Sequence, residues 1–180
     1  MKNRIILVGK GGSGKDYLRE LLENKWNLTY CTSHTSRPIR EEEENGIDYY
    51  FVDRQYFLEA PDSFYEYVEF NGWFYGTSVS EFQKSDLLIM TPSGVEKLKP
   101  EDRKDSFIVY IDIDEKTRRE RLKNRKDSDS AERRLSTDRS DFLEYTDFDM
   151  SITNPNFGDP EIMEILQKSS FQYYLKHFKK

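Results

Sequence analysis

One cysteine, Cys31, and two histidines far apart, His34 and His177, in 180 residues exclude a disulfide framework and a zinc site built from Cys and His. They suit a reducing compartment. Positive charge is in deficit: 28 Lys and Arg against 34 Asp and Glu leave a net charge of -6 and a sequence pI near 5.1. That balance argues against nucleic-acid or membrane partners, either of which calls for a basic surface. An anionic small molecule must then be held by a local basic cluster. Long apolar runs are also missing. Ile5, Ile6, Leu7 and Val8 follow the polar start of the chain and give way at once to glycines. The run is too short for a signal peptide or a membrane span, so a cytoplasmic location is expected. There is no internal repeat and no low-complexity linker, and the length fits one compact domain.

What the chain does have is aromatic bulk and an ordered succession of elements. Twelve Phe, twelve Tyr and two Trp offset an apolar content of only 36% and a charged content of 34%, so a folded body with a charged exterior is expected. Residues 5–8 form a β-prone run suited to a strand buried on both faces, and residues 16–24 then read as a helix with Leu18, Leu21 and Leu22 inward. Similar runs recur at residues 86–90, 107–111 and 150–154, each followed by helix-like sequence. This alternation predicts a parallel sheet covered on both faces.

Between residues 33 and 82 the texture changes to aromatic, alternating segments at 49–52, 64–70 and 73–75, the last two joined by the Asn71-Gly72 hairpin signal. A small, mostly β lobe inserted into the core is expected there. Residues 114–142 read as two charged helices separated by a polar tip at 126–130, the outline of a lid. A last helix, about residues 160–180, carries Phe171, Tyr174 and Phe178 as a core-facing stripe. The expected fold is α/β: a three-layer α/β/α body with a parallel core sheet (1–32, 83–113 and 146–180), the inserted lobe (33–82) and a helical lid (114–145).

Gly9-Lys10-Gly11-Gly12-Ser13-Gly14-Lys15 matches the phosphate-binding pattern GxxxxGK, set as it must be between a hydrophobic strand and a helix. Gly9, Gly11, Gly12 and Gly14 let the backbone turn so that amides, including that of Ser13, point at phosphate oxygens. The helix N-terminus adds positive potential, and Lys15 reaches the outer phosphates. The Ser or Thr that normally follows the lysine is Asp16. Its carboxylate either contributes to a Mg2+ site, directly or through water, or simply favours the helix dipole.

Farther on, Ser33, Arg37 and Arg40 precede a segment from Asn45 through Tyr49 to Val52, and Glu66 is followed by Gly72, Trp73, Tyr75, Gly76 and Thr77. In this order and after a P-loop, the segments resemble the two acceptor signatures of guanylate kinases, and the resemblance covers nearly the whole chain. It implies transfer of the terminal phosphate of ATP to GMP or dGMP, with Mg2+ as cofactor and small molecules as the partners. Arg37, Arg40, Tyr49 and Tyr75 match the grip on the acceptor phosphate, work suited to guanidinium forks and tyrosine hydroxyls. Glu66, Ser33 and Thr77 match the set that reads guanine, whose N1–H and 2-amino donors call for a carboxylate.

In the lid, Arg118, Arg121 and Arg125 share one helical face as a basic stripe. The resemblance implies that Arg121, Arg125 and Arg134 close over the phosphates and that Asn154 lies in the loop near the ATP base. Glu41 to Glu44 read as a solvated loop. One departure stands out: the acidic pair that guanylate kinases usually carry after the second core strand is replaced by Ile89 and Thr91. Two other functions stay open on these residues, a kinase for another or modified nucleotide and a non-catalytic interaction module. Modules of that kind tend to lose the P-loop that is intact here.

Overall fold

Ile5, Ile6, Leu7 and Val8 are fully buried, as a strand covered on both faces requires. The computed structural model describes residues 4–70, 72–124 and 131–169. Asn71, the tip at 126–130 and the expected stripe of Phe171, Tyr174 and Phe178 lie outside those residues. The elements run β1 (Arg4–Gly9), α1 (Lys15–Trp26), β2 (His34–Thr35), β3 (Tyr50–Phe51), α2 (Arg54–Glu59), β4 (Phe64–Phe70), β5 (Trp73–Ser78) and α3 (Val79–Lys84). They continue β6 (Leu87–Ile89), α4 (Pro92–Glu96), α5 (Pro100–Asp105), β7 (Ser106–Ile111), α6 (Glu115–Lys123), α7 (Ala131–Asp141), β8 (Met150–Ile152) and α8 (Asp159–Ser169).

The core sheet has the order β6-β1-β7-β8 and is parallel throughout. Its period of two divides the core into two layers. Ile5 and Leu7 pack with Leu18 and Leu22 of α1 and with Ile162 and Ile165 of α8. Ile6 and Val8 face the other way, toward Phe82, Val95, Leu98 and Phe142. This is the expected α/β/α layering. No helix among the described residues is long and apolar enough to cross a membrane.

A second, mixed sheet has the order β3-β2-β5-β4. The strand expected at 49–52 shrinks to two residues and runs parallel to β2. Its edge is tied down by the Asn45 side chain, which accepts the Phe51 N–H at 2.9 Å. Helix α2 was not expected in this lobe. It exists because Phe57 anchors it, fully buried and stacked on Phe64 at 4.7 Å between ring centroids.

Strands β4 and β5 form the predicted hairpin, with one register shift: Phe64 pairs with Ser78, but Glu66 pairs with Thr77. The extra residue, Tyr65, is a bulge. It reverses the alternation, so Phe64 joins Tyr67, Phe74 and Phe57 in one cluster, while Glu66 and Val68 turn toward the core sheet. Gly76 stands opposite Tyr67, and a Cβ there would lie 2.7 Å from the Tyr67 Cβ and 2.9 Å from the Phe57 ring. Gly76→Ala is therefore expected to cost about 1–3 kcal/mol through overpacking, measured by chemical denaturation. Wild-type stability would show that the lobe absorbs the methyl group.

Candidate active site

Because all four core strands are parallel, their carboxyl ends open on one side of the sheet, where α/β proteins hold ligands. The first of these ends carries the glycine loop, in which Gly12 and Gly14 adopt φ of 74° and 99°, angles that glycine takes without strain. Lys15 opens α1 and folds back, its Nζ donating to the carbonyls of Gly9 (2.6 Å) and Lys10 (3.1 Å). Asp16, in the first turn of α1, is exposed and lines the cleft beside Lys15. Ser13 is turned away. It is fully buried, its hydroxyl has no hydrogen-bond partner, and its amide donates to the Lys10 carbonyl at 3.2 Å.

Across the cleft, strands β4 and β5 contribute Glu66, Tyr75 and Thr77, and the segments flanking β2 and β3 contribute Ser33, Arg37, Arg40 and Tyr49, all of which line the same cavity as Gly9, Gly11, Gly12, Gly14 and Lys15. The arginines are organised by an acid from the run expected to be solvated. Glu43 accepts from both Arg37 terminal nitrogens (3.0 and 2.7 Å), from the Arg40 amide (2.9 Å) and from the Arg40 side chain (3.3 Å). The solvated-loop expectation is thus corrected at Glu43: two cations beside it repay its desolvation. Burial pushes its carboxyl up, but the bonds and charges of Arg37 and Arg40 outweigh that and hold it below the usual carboxylate range. Tyr49 packs edge-on to Tyr75 with centroids 6.1 Å apart. Burial, and then the charge of Asp16, raises the Tyr49 hydroxyl so that it remains a donor at neutral pH.

At the far end, Glu66 is only 8% exposed. Desolvation pushes its carboxyl up from 4.5, against hydrogen bonds from the Thr77 hydroxyl and amide and the charge of Lys97. Ser33 is buried close by in the wall, and Thr91 caps α4 by accepting the Gly94 N–H at 3.1 Å. Ile89 and Met90 line the cleft at the end of β6, where the family pattern leads one to expect acid.

The lid residues separate. Arg134 is buried and lines the cleft with Asp138 and Phe142. Arg121 points to another face of the glycine loop: its guanidinium donates to the carbonyls of Gly12 (3.2 Å), Ser13 (3.1 Å) and Pro155 (2.6 Å). It borders a separate pocket with Tyr17 and Phe157. Arg118 leaves the expected stripe altogether, being 2% exposed and paired with Asp138. Asn154 is exposed and occupied locally, donating to Glu161 at 2.9 Å. Arg125 lies outside the described residues. Glu43 and Asp138 escaped the sequence: the first hides among equal neighbours, and the second meets partners 20 and 127 residues away.

A family model described as guanylate kinase matches residues 1–169. The chain belongs to the guanylate kinase family. It is 32% identical over 169 residues to the guanylate kinase of Legionella pneumophila (strain Paris), covering 86% of this chain and 79% of that protein. With the guanylate kinase of Sus scrofa it shares 32% identity over 165 residues, covering 83% of each. The crystal structure of guanylate kinase from Anaplasma phagocytophilum superposes with a TM-score of 0.67 at 25% identity, over 100% of this chain and 89% of that one.

Glu66 yields a test that needs no ligand. Because its folded pKa is raised, the folded state binds more protons than the unfolded chain as pH rises above the ordinary carboxylate value, so the group lowers stability at neutral pH. Glu66→Gln should then melt at or above the wild-type temperature at pH 7, with the gap closing toward pH 4, roughly where both states are protonated. A variant less stable than wild type at pH 7 would mean that the cleft favours the carboxylate even without ligand.

Proposed function

We propose that the chain transfers the terminal phosphate of ATP to GMP or dGMP. The observation that carries this is one continuous cleft with the glycine loop and Lys15 at one end, a Glu43-ordered arginine pair between, and the buried carboxylate of Glu66 at the other. In this assignment Arg37, Arg40, Tyr49 and Tyr75 hold the acceptor phosphate, while Glu66, Ser33 and Thr77 take the guanine edge. Adenine offers an acceptor where guanine has N1–H, leaving Glu66 unpaired, a penalty that discriminates strongly. The pocket between Arg121 and Phe157 suits the base of ATP, with a guanidinium plane and a ring as walls.

An acceptor phosphate oxygen attacks the terminal phosphorus in line, the bond to the bridging oxygen breaks, and ADP leaves with a nucleoside diphosphate as the second product. No nucleophilic side chain is needed. Lys15 and Arg134 stabilise the charge that moves, with Arg125 as a further lid contributor; Arg121 stays on the other face of the glycine loop, at the base pocket. The lobe at 33–82 would close on the body and exclude water. Among the described residues no cluster of three or more Asp, Glu, His or Cys could hold a metal alone. A single carboxylate, Asp16, fits Mg2+, which keeps water and phosphate oxygens as most of its ligands. When bound, Mg2+ supplies charge neutralisation at the phosphates.

A second acceptor remains in view because Ile89, Met90, Val68 and Phe70 make part of the cleft apolar, and a modified or different base would meet that wall. The assay is ADP release from Mg2+-ATP with each common nucleoside monophosphate, ribo and deoxy. Turnover with GMP or dGMP, lost in Glu66→Ala, is the expected result; turnover with another base only would transfer the assignment to the second acceptor. Lys15→Ala should abolish transfer while leaving GMP affinity nearly unchanged, and retained transfer would refute the mechanism. Asp16→Ala should raise the Mg2+ requirement sharply; an unchanged Mg2+ dependence would leave that carboxylate a helix-dipole role only.

A further inference from the structure

Arg118 and Asp138 form an ion pair of 2.9 Å whose side chains are 3% and 5% exposed. Their contacts converge on one residue of the glycine loop. The Gly11 N–H donates to Asp138 Oδ2 at 2.9 Å, and the Gly11 carbonyl accepts from the Arg118 guanidinium at 3.2 Å. The same guanidinium uses its Nε on the Ile113 carbonyl at 3.1 Å. Both backbone groups of Gly11 are therefore held, one by each lid helix.

Burying two charges costs several kcal/mol in desolvation, and an apolar pair of similar volume often stabilises as well or better. Packing alone thus gives no reason for these residue types. What an ion pair adds is direction. Asp138 lies one helical turn after Arg134, so the two share a face of α7, and both line the cleft. Fixing Asp138 to the loop fixes the height and rotation of Arg134 over the phosphate end of the cleft.

We propose that Asp138, oriented by Arg118, is a positioning residue that registers α7 and its Arg134 on the glycine loop. The ion pair sets the Gly11 peptide and the lid arginine in one rigid unit before the nucleotide enters. The inference rests on the phosphoryl-transfer assignment for its effect on turnover. Its effect on ATP binding stands independently of any acceptor.

The test is a double variant, Arg118→Leu with Asp138→Ala, that removes both charges together so that neither is left buried alone. Its melting temperature should stay near wild type. ATP affinity, measured by calorimetry without acceptor, and kcat should each fall on the order of 10- to 100-fold, while the KM for the acceptor stays unchanged. Asp138→Asn, isosteric and still able to accept the Gly11 N–H, should recover part of the ATP affinity and serves as the readout if the double variant does not fold. A folded variant of either kind with wild-type ATP affinity and kcat would overturn the proposal. So would tighter ATP binding, which would make the carboxylate a competitor of phosphate. If the wild type binds ATP but phosphorylates no nucleoside monophosphate, the function assignment fails while the clamp is still judged on ATP affinity.

Discussion

A guanidinium removed from water needs an acid within hydrogen-bond reach, and the cleft is arranged around that constraint. Arg37 and Arg118 are both largely buried, and each is met by a carboxylate of its own, Glu43 at 2.7 Å and Asp138 at 2.9 Å. The pairing does more than offset desolvation. Each carboxylate also accepts a backbone N–H, Arg40 for Glu43 and Gly11 for Asp138. Side-chain orientation and loop conformation are thereby settled together. In a chain with a net charge of -6, acids of the chain itself thus hold these arginines in place.

The two sheets then decide which side chains share that place. The parallel core sheet opens all its carboxyl ends on one side and so sets the glycine loop beside the end of β6. The mixed sheet supplies the opposite wall, and its bulge at Tyr65 separates a structural face, Phe64 with Phe57 and Phe74, from a ligand face. Without the extra residue, strict alternation would keep Phe64 on the side of Glu66 and Val68. Tyr65 itself is well used, stacked on Phe82 at 3.7 Å and donating to Asp102 at 2.6 Å, so the bulge also ties the lobe to the body.

Much of the fold could be read from the chain, because its signals are local. Four apolar runs separated by helical patterns lead to a parallel sheet, and no end of an observed core strand lies more than two residues from the expected one. Element ends were less legible: the strand near Tyr50 shortened, and α2 was unforeseen because one buried aromatic, Phe57, rather than helical periodicity, holds it. In the site, the glycine loop and the two acceptor segments were legible because each is contiguous in sequence. Arg118 was expected in a basic stripe with Arg121 and Arg125, and its burial against Asp138 was not legible, because helical spacing tells which residues share a face, not what that face meets.

The sequence by itself determined the layered α/β body, the phosphate loop and the family, since backbone propensity, apolar period and motif spacing act between near neighbours. Tertiary structure alone decided that Glu43 faces two arginines, that Arg121 and Arg134 serve different faces of the glycine loop, and that Asp138 reaches Gly11 across 127 residues. The reason is physical. Hydrogen bonds and ion pairs depend on distance in space to a few tenths of an ångström, and that distance exists only once the helices and strands have packed.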